Sequence, residues 1–170
     1  SPGNGWAVGA SSNILHYDGT QWEKVKPPRF CYLSGMTFNS PEDGWAVGNE
    51  GVILHYDGTA WKEVESPTRD PLYSLYFSSP QEGWAVGDTG TIIHYQGGEW
   101  KSSESPTDLS LFSVYFKGPQ EVYAVGAAGT ILRYRGVKWE AMESPTSKFL
   151  YTVSYEDPLG LLVGGREKVV

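Results

Sequence analysis

"GWAVG", at Gly5–Gly9, returns unchanged at Gly44–Gly48 and Gly83–Gly87, and as "VYAVG" at Val122–Gly126. Each copy follows the last by 39 residues. A fixed step of this size marks a chain built from stacked copies of one supersecondary unit. The best-kept copy, Ser40–Ser78, reads "SPEDGWAVGNEGVILHYDGTAWKEVESPTRDPLYSLYFS". The single domain 1–170 therefore divides into units 1–39, 40–78, 79–117 and 118–156, with a partial unit 157–170. The first unit ends in a divergent stretch, "KPPRFCYLSGMTFN", and the turn "EDPLG" in the last is one residue shorter than "KGPQEV".

Each full unit holds four short apolar runs. In the third they are "GWAVG", "TIIHY", "EWKSS" and "LFSVYF". Gly, Pro, Asn and Asp separate them at hairpin spacing, and "ESPT" opens a longer loop before the last run. No helical periodicity of useful length interrupts the pattern. Four strands in about 40 residues predict one blade of a β-propeller, a small twisted antiparallel sheet packed between two others. Burial on both faces explains why the runs are continuously apolar rather than alternating. With the run before "GWAVG" named strand a and the following runs b, c and d, the chain opens on strand b. Three whole blades follow, and it closes on a, b and part of c. The fold class predicted is all-β, a propeller of 39-residue four-stranded blades present as a partial ring or fragment. An open arc leaves unpaired strand edges. The expectation is therefore either a piece of a larger chain or a homo-oligomer that closes the ring.

Bulk properties narrow the partners. Charged residues are 19% and hydrophobic residues 39% of 170, a globular balance. The net charge of −7 opposes a nucleic-acid backbone, and no run reaches the length of a membrane span. Cys31 is alone, so no disulfide forms within the chain.

The frame "GWAVG..G.ILHYDG..W", at Gly44–Trp61, resembles the repeat of the photosystem II stability/assembly-factor-like propellers and the wider group with neuraminidase-type Asp-box repeats. The Asp-box turn is represented by Asp18 and Asp57, with Gln96 and Arg135 at the same place in the later units. The resemblance implies a propeller, a protein-docking role and a secreted, periplasmic or cell-surface location. It also implies a basic patch as the partner site, and no basic run in this chain supplies one.

Several residues invite a functional reading. Trp22, Trp61, Trp100 and Trp139 open strand d in successive units; they are candidate sugar-stacking platforms or packing residues. Tyr76 and Tyr115, on strand a, are candidates to face a central channel, and Gly35, Ser74, Ser113 and Thr152 suit crowding near the axis. His16, His55 and His94 share one position, but Arg133 takes the fourth copy, which favours inter-blade hydrogen bonding over a metal site. Asp18 and Asp57 read as turn residues that bond nearby backbone N–H groups. A sialidase-like hydrolase would use a Tyr nucleophile with a carboxylate and several Arg. The arginines here are scattered, and the units are too uniform for a site that must break symmetry. No catalytic, cofactor or metal residue is assigned. The function expected is a non-catalytic scaffold for a protein partner, with a saccharide-binding propeller as the alternative.

Overall fold

The computed structural model describes residues 3–118, 120–156 and 160–165. These form five successive antiparallel sheets. Blade 1 holds β1 (Gly5–Gly9), β2 (Asn13–Tyr17) and β3 (Trp22–Val25). Blade 2 holds β4 (Leu33–Ser40), β5 (Asp43–Gly48), β6 (Ile53–Tyr56) and β7 (Trp61–Val64). Blade 3 holds β8 (Leu72–Ser79), β9 (Glu82–Gly87), β10 (Ile92–Gln96) and β11 (Glu99–Ser103). Blade 4 holds β12 (Leu111–Gly118), β13 (Glu121–Gly126), β14 (Ile131–Tyr134) and β15 (Trp139–Ala141), and blade 5 holds β16 (Leu150–Glu156) and β17 (Gly160–Gly165). Every strand pairs with its neighbour in the chain, so each blade is a meander. The order a–b–c–d is as the sequence predicts, with b–c–d in blade 1 and a–b in blade 5. The turn at 157–159 and the expected piece of strand c at 166–170 lie outside the described residues.

The sheets are offset from the repeat letters. A blade takes its strand a from the end of one unit and its other strands from the next, so each unit is stitched into two sheets. Strand b is the core of the blade. In β5, Gly44 through Gly48 are all buried, and β9 and β13 follow the same pattern. Such a strand needs apolar residues on both faces. Its Trp is then gripped from two sides. Trp45 lies 4.3 Å, ring centre to ring centre, from His55 of its own blade. On its other side are Phe77, Tyr95 and Trp100 of blade 3, at 5.1, 4.9 and 5.9 Å. Trp6 repeats the arrangement with His16, Phe38, Tyr56 and Trp61, and Trp84 with His94, Tyr134 and Trp139. The strand-d indole meets the strand-b indole T-shaped at each of the three interfaces, the geometry that aromatic quadrupoles favour.

Strand a carries a β-bulge. Leu72 pairs with Gly87, but Ser74 pairs with Val86, leaving Tyr73 as an extra residue; Ser34, Phe112 and Tyr151 stand at the same place. Beyond the bulge lies the crowded inner contact. Ser74 Oγ accepts the N–H of Val114 at 3.3 Å, and Ser113 Oγ accepts that of Val153 at 3.2 Å. A Cβ on Gly35 would stand 2.9 Å from the Tyr73 carbonyl oxygen. The small residues at this position are thus explained by the close approach of the next blade's inner strand.

The same Trp position has opposite surroundings at the two ends of the series. Trp100 is 6% exposed, whereas Trp22 is 53% exposed because no described blade covers it. Trp100→Ala is expected to destabilise the fold by about 3–5 kcal/mol, the usual range for emptying a large aromatic site. Trp22→Ala should stay within about 0.5 kcal/mol, as for surface changes. Guanidinium unfolding midpoints of the two variants check the contrast.

Candidate functional site: the loop face and its aromatic rim

Strand a starts where strand b ends, so the d–a loops and the b–c turns share one face. The turns Asn49–Gly51, Asp88–Gly90 and Ala127–Gly129 are single 3-10 turns with a left-handed middle residue, Glu50, Thr89 and Ala128. Each is held from both sides. The N–H groups of Asn49, Asp88 and Ala127 donate to the carbonyls of Tyr32, Pro71 and Ser110, at 2.9, 2.8 and 2.9 Å. Opposite, Gly90 lies so close to the next loop that a Cβ would run into the Thr107 carbonyl, and Gly51 and Gly129 are placed alike against Thr68 and Thr146. Within each "SPT" loop the Ser hydroxyl donates to the Thr carbonyl, at 3.0–3.1 Å. Side-chain bonds add to this lock: Thr91 Oγ1 donates to Asp70 at 2.8 Å and Ser110 Oγ to Asp88 at 2.5 Å.

On this braced face the bulged residues form an aromatic rim. Tyr73 lies 5.9 Å from Phe112, and Phe112 lies 5.3 Å from Tyr151 and 5.9 Å from Phe149. Phe149 and Tyr151 are exposed, Tyr73 and Phe112 half-buried. Phe30 and Tyr32 extend the set at the blade 1–2 loop, in T-shaped contact at 5.6 Å. Among the described residues the large exposed apolar side chains are Trp22, Phe30, Tyr32, Leu109, Val137, Phe149 and Tyr151. All but Trp22 and Val137 belong to the loops or strand starts of this face. Apolar surface gathered in one place, rather than scattered, marks an interaction surface.

The sequence reading chose Tyr76 and Tyr115 on strand a instead. They are half-buried and tie blades together: their rings stand 4.8 Å apart, Tyr76 stacks on Phe116, and the Tyr115 hydroxyl donates to the Tyr155 carbonyl at 3.3 Å. Burial, with Tyr115 beside it, raises the Tyr76 pKa. The bulge is what carries Tyr73 and Phe112 outward. Its signal in the sequence is the three-residue spacing of Leu72 and Leu75, both buried, where an unbroken strand would show two.

Trp61, Trp100 and Trp139 are buried in the blade interfaces, and none of the three has a face free for a sugar. The expectation of one saccharide platform per blade is corrected by this: the platform ring is the filling of the next interface. Only Trp22 is open. The histidines also differ from expectation. Each faces the residue two before the strand-b aromatic of its own blade rather than a neighbouring blade, and His16 and His55 are hydrogen-bonded to it. His16 Nε2 lies 2.8 Å from Asn4 Oδ1, and His55 Nε2 2.8 Å from Asp43 Oδ1. His94 is 3.5 Å from Glu82, and burial lowers its pKa although Glu82 opposes the shift.

In blade 4 the same motif becomes Glu121, Tyr123 and Arg133, a Tyr beside a carboxylate and an arginine. The Tyr123 hydroxyl donates to Glu121 at 2.6 Å. The ring is buried, and burial raises its pKa, the wrong direction for a phenolate nucleophile. The trio occupies the repeat positions of Asp43, Trp45 and His55. Asp18 and Asp57 serve their turns. Asp18 Oδ1 accepts from Thr20 N, Thr20 Oγ1 and Gln21 N at 2.7, 2.6 and 3.0 Å. Asp57 does the same for Thr59 and Ala60, with Lys62 alongside.

One basic group was not visible as a run. Lys24, Lys26 and Arg29 line a cleft with Ser12, Pro28 and Phe30 on blade 1. Lys26 stands where Glu65, Glu104 and Glu143 stand in the other loops. Arg29 is engaged by Glu50 at 2.6 Å and Glu63 at 3.1 Å.

No family model matches the chain, and no curated protein does. Solved structures do match in shape. YCF48 from Cyanidioschyzon merolae superposes with a TM-score of 0.73 at 20% identity, over 97% of this chain and 61% of that one. A structure described as YCF48 bound to D1 peptide gives 0.72 at 19%, over 97% and 57%. The WD40 repeats of RRP9 give 0.74 at 9%, over 96% and 56%. At these identities the likeness establishes the β-propeller fold. The chain spans less than two thirds of the length of each of these structures.

Two substitutions test the site's construction. Gly90→Ala adds a clash with the Thr107 carbonyl to a left-handed φ of +73° and is expected to open the loop face. Gly97→Ala has a similar φ, +67°, but nothing within 4 Å, so it should bear only the left-handed penalty of about 1–2 kcal/mol. Hydrogen exchange at Asp88–Thr91 should rise in the first variant only. Separately, the three bonds to Asp18 lower its pKa from 3.8 to about 2. Its contribution to the turn is therefore full above 3.8 and lost as pH falls through about 2. An NMR titration should find Asp18 ionised at pH 3, and Thr20→Ala should move its midpoint back up.

Proposed function

We propose that this chain is a non-catalytic docking propeller whose loop face holds a segment of a protein partner. The observation that carries the reading is the aromatic rim Tyr73–Phe112–Phe149–Tyr151 on a face braced by repeated turn-to-loop bonds. Rigid support lowers the entropy lost on binding, and exposed rings supply contact area at small conformational cost. The repeat's resemblance to photosystem II assembly-factor-like propellers supports a role in assembly. So does the likeness in shape to a YCF48 structure whose description includes a bound D1 peptide. A location outside the cytoplasm belongs to the same reading and rests on the resemblance alone. Near-identical loops on successive blades suit an extended or repeated partner, because each added contact becomes intramolecular.

Selection of a displayed peptide library on the immobilised protein tests this. Selected peptides should lose at least about tenfold in affinity on the variant Phe112→Ser with Tyr151→Ser, as for a central aromatic anchor. Trp22→Ser, at an exposed ring on blade 1 away from the rim, should leave affinity unchanged. Peptides that bind both variants alike would overturn the assignment of the loop face.

A further inference from the structure

We propose that the rim over blades 3 to 5 takes a basic, extended segment, one bearing Arg or Lys side chains. This rests on the docking reading and adds the chemistry of the occupant. The loops and turns that frame the rim are residues 65–71, 88–90, 104–110, 127–129 and 143–149. They contain six carboxylates, Glu65, Asp70, Asp88, Glu104, Asp108 and Glu143, against two cations, Arg69 and Lys148.

The carboxylates divide into two kinds. Asp70 and Asp88 are engaged in bracing the loops, through Thr91 and Ser110. Glu65, Glu104, Asp108 and Glu143 are exposed and have no hydrogen bond or ion pair among the described residues. Three of these free acids, Glu65, Glu104 and Glu143, occupy one repeat position on successive loops. An extended segment crossing the loops meets one carboxylate at each step.

The rings favour the same charge. Aromatic faces carry negative potential and attract guanidinium and ammonium groups, Arg above all. A guanidinium can lay its planar face on a ring and turn its N–H edge to a carboxylate, so rings and acids on one face favour the same side chain. Blade 1 sets a limit to the track. There Lys26 stands where Glu65, Glu104 and Glu143 stand in the later units, with Lys24 lining the same cleft, and the two would repel the same segment. The occupant is thereby confined to the side of the arc where the rings Tyr73, Phe112, Phe149 and Tyr151 lie.

The test uses three fluorescent peptides of equal length, alternating Ser with Arg, with Gln or with Glu, titrated by anisotropy. The Arg peptide is expected to bind roughly tenfold or more tighter than the Gln peptide, from a few cation–π and carboxylate contacts acting together. Its affinity should fall with added salt. Glu104→Gln with Glu143→Gln should weaken it severalfold. So should Phe112→Leu with Tyr151→Leu, which keeps apolar volume but removes the ring faces; thermal melts of both variants check that the fold is intact. Equal binding of the Arg and Gln peptides, both lost with the rings, would overturn the basic occupant and leave the docking face standing. Arg-peptide binding indifferent to the rings would overturn both. So would no binding by any of the three. Tightest binding of the Glu peptide would overturn the basic occupant and point to Lys24 and Lys26.

Discussion

Blades 1, 2 and 3 are each held to the next by one indole, and blade 4 to blade 5 by the Tyr123 ring at the same place. Trp45 lies against a histidine of its own sheet and is enclosed by a Phe, a Tyr and a Trp from three different strands of the following sheet. A four-stranded sheet of this size cannot bury its own faces, so it has no stable existence apart from its neighbours. The indole solves this by giving both blades a shared core. A buried aromatic removes some 150–250 Å² from water, roughly 4–6 kcal/mol at 25 cal/mol/Å². At Trp45 the indole N–H is also satisfied, whereas those of Trp6 and Trp84 are buried without a hydrogen-bond partner. Asp43 accepts from both the Trp45 N–H and Asn39, and also lies against His55.

The loop face depends on that packing. Once the blades are set at a fixed separation, the turn after strand b falls between two loops and is bonded or wedged to each. The left-handed Glu50, Thr89 and Ala128 are strained for residues with side chains and persist because the surrounding contacts determine them. The rim rings then project from a surface with little freedom left. Specific contact demands this: the ordering has been accomplished by folding, before any partner arrives.

Much of this was legible in the letters. The 39-residue step, the four apolar runs and the turn residues between them lead to a propeller and to the right order of strands. The turn roles of Asp18 and Asp57 were readable because Gln96 and Arg135 stand at the same place without destroying the pattern. Other features depend on geometry that no single unit contains. Whether Trp100 is a platform or a core residue is decided by Trp45, 55 residues earlier and in another blade. The outward turn of Tyr73 and Phe112 follows from a bulge, which shifts the register by one residue and so reverses the side on which a ring emerges. Lys24, Lys26 and Arg29 are a cleft in space and only a loose scatter in sequence.

The offset between repeat and sheet has a consequence for how such a chain can change its length. Every unit ends by supplying the inner strand of the next blade and begins by completing a sheet whose inner strand it did not make. Any window of 39 residues, wherever it starts, therefore carries one full set of complementary halves. Copying or deleting such a window leaves each junction with the partner it requires: a strand-b aromatic finds a strand-d indole, and a turn glycine finds a loop carbonyl. Gene duplication can thus add or remove blades without inventing a new interface. The copies differ most in the "KPPRFCYL" loop beside blade 1, so a change there alters one junction and leaves the others as they were.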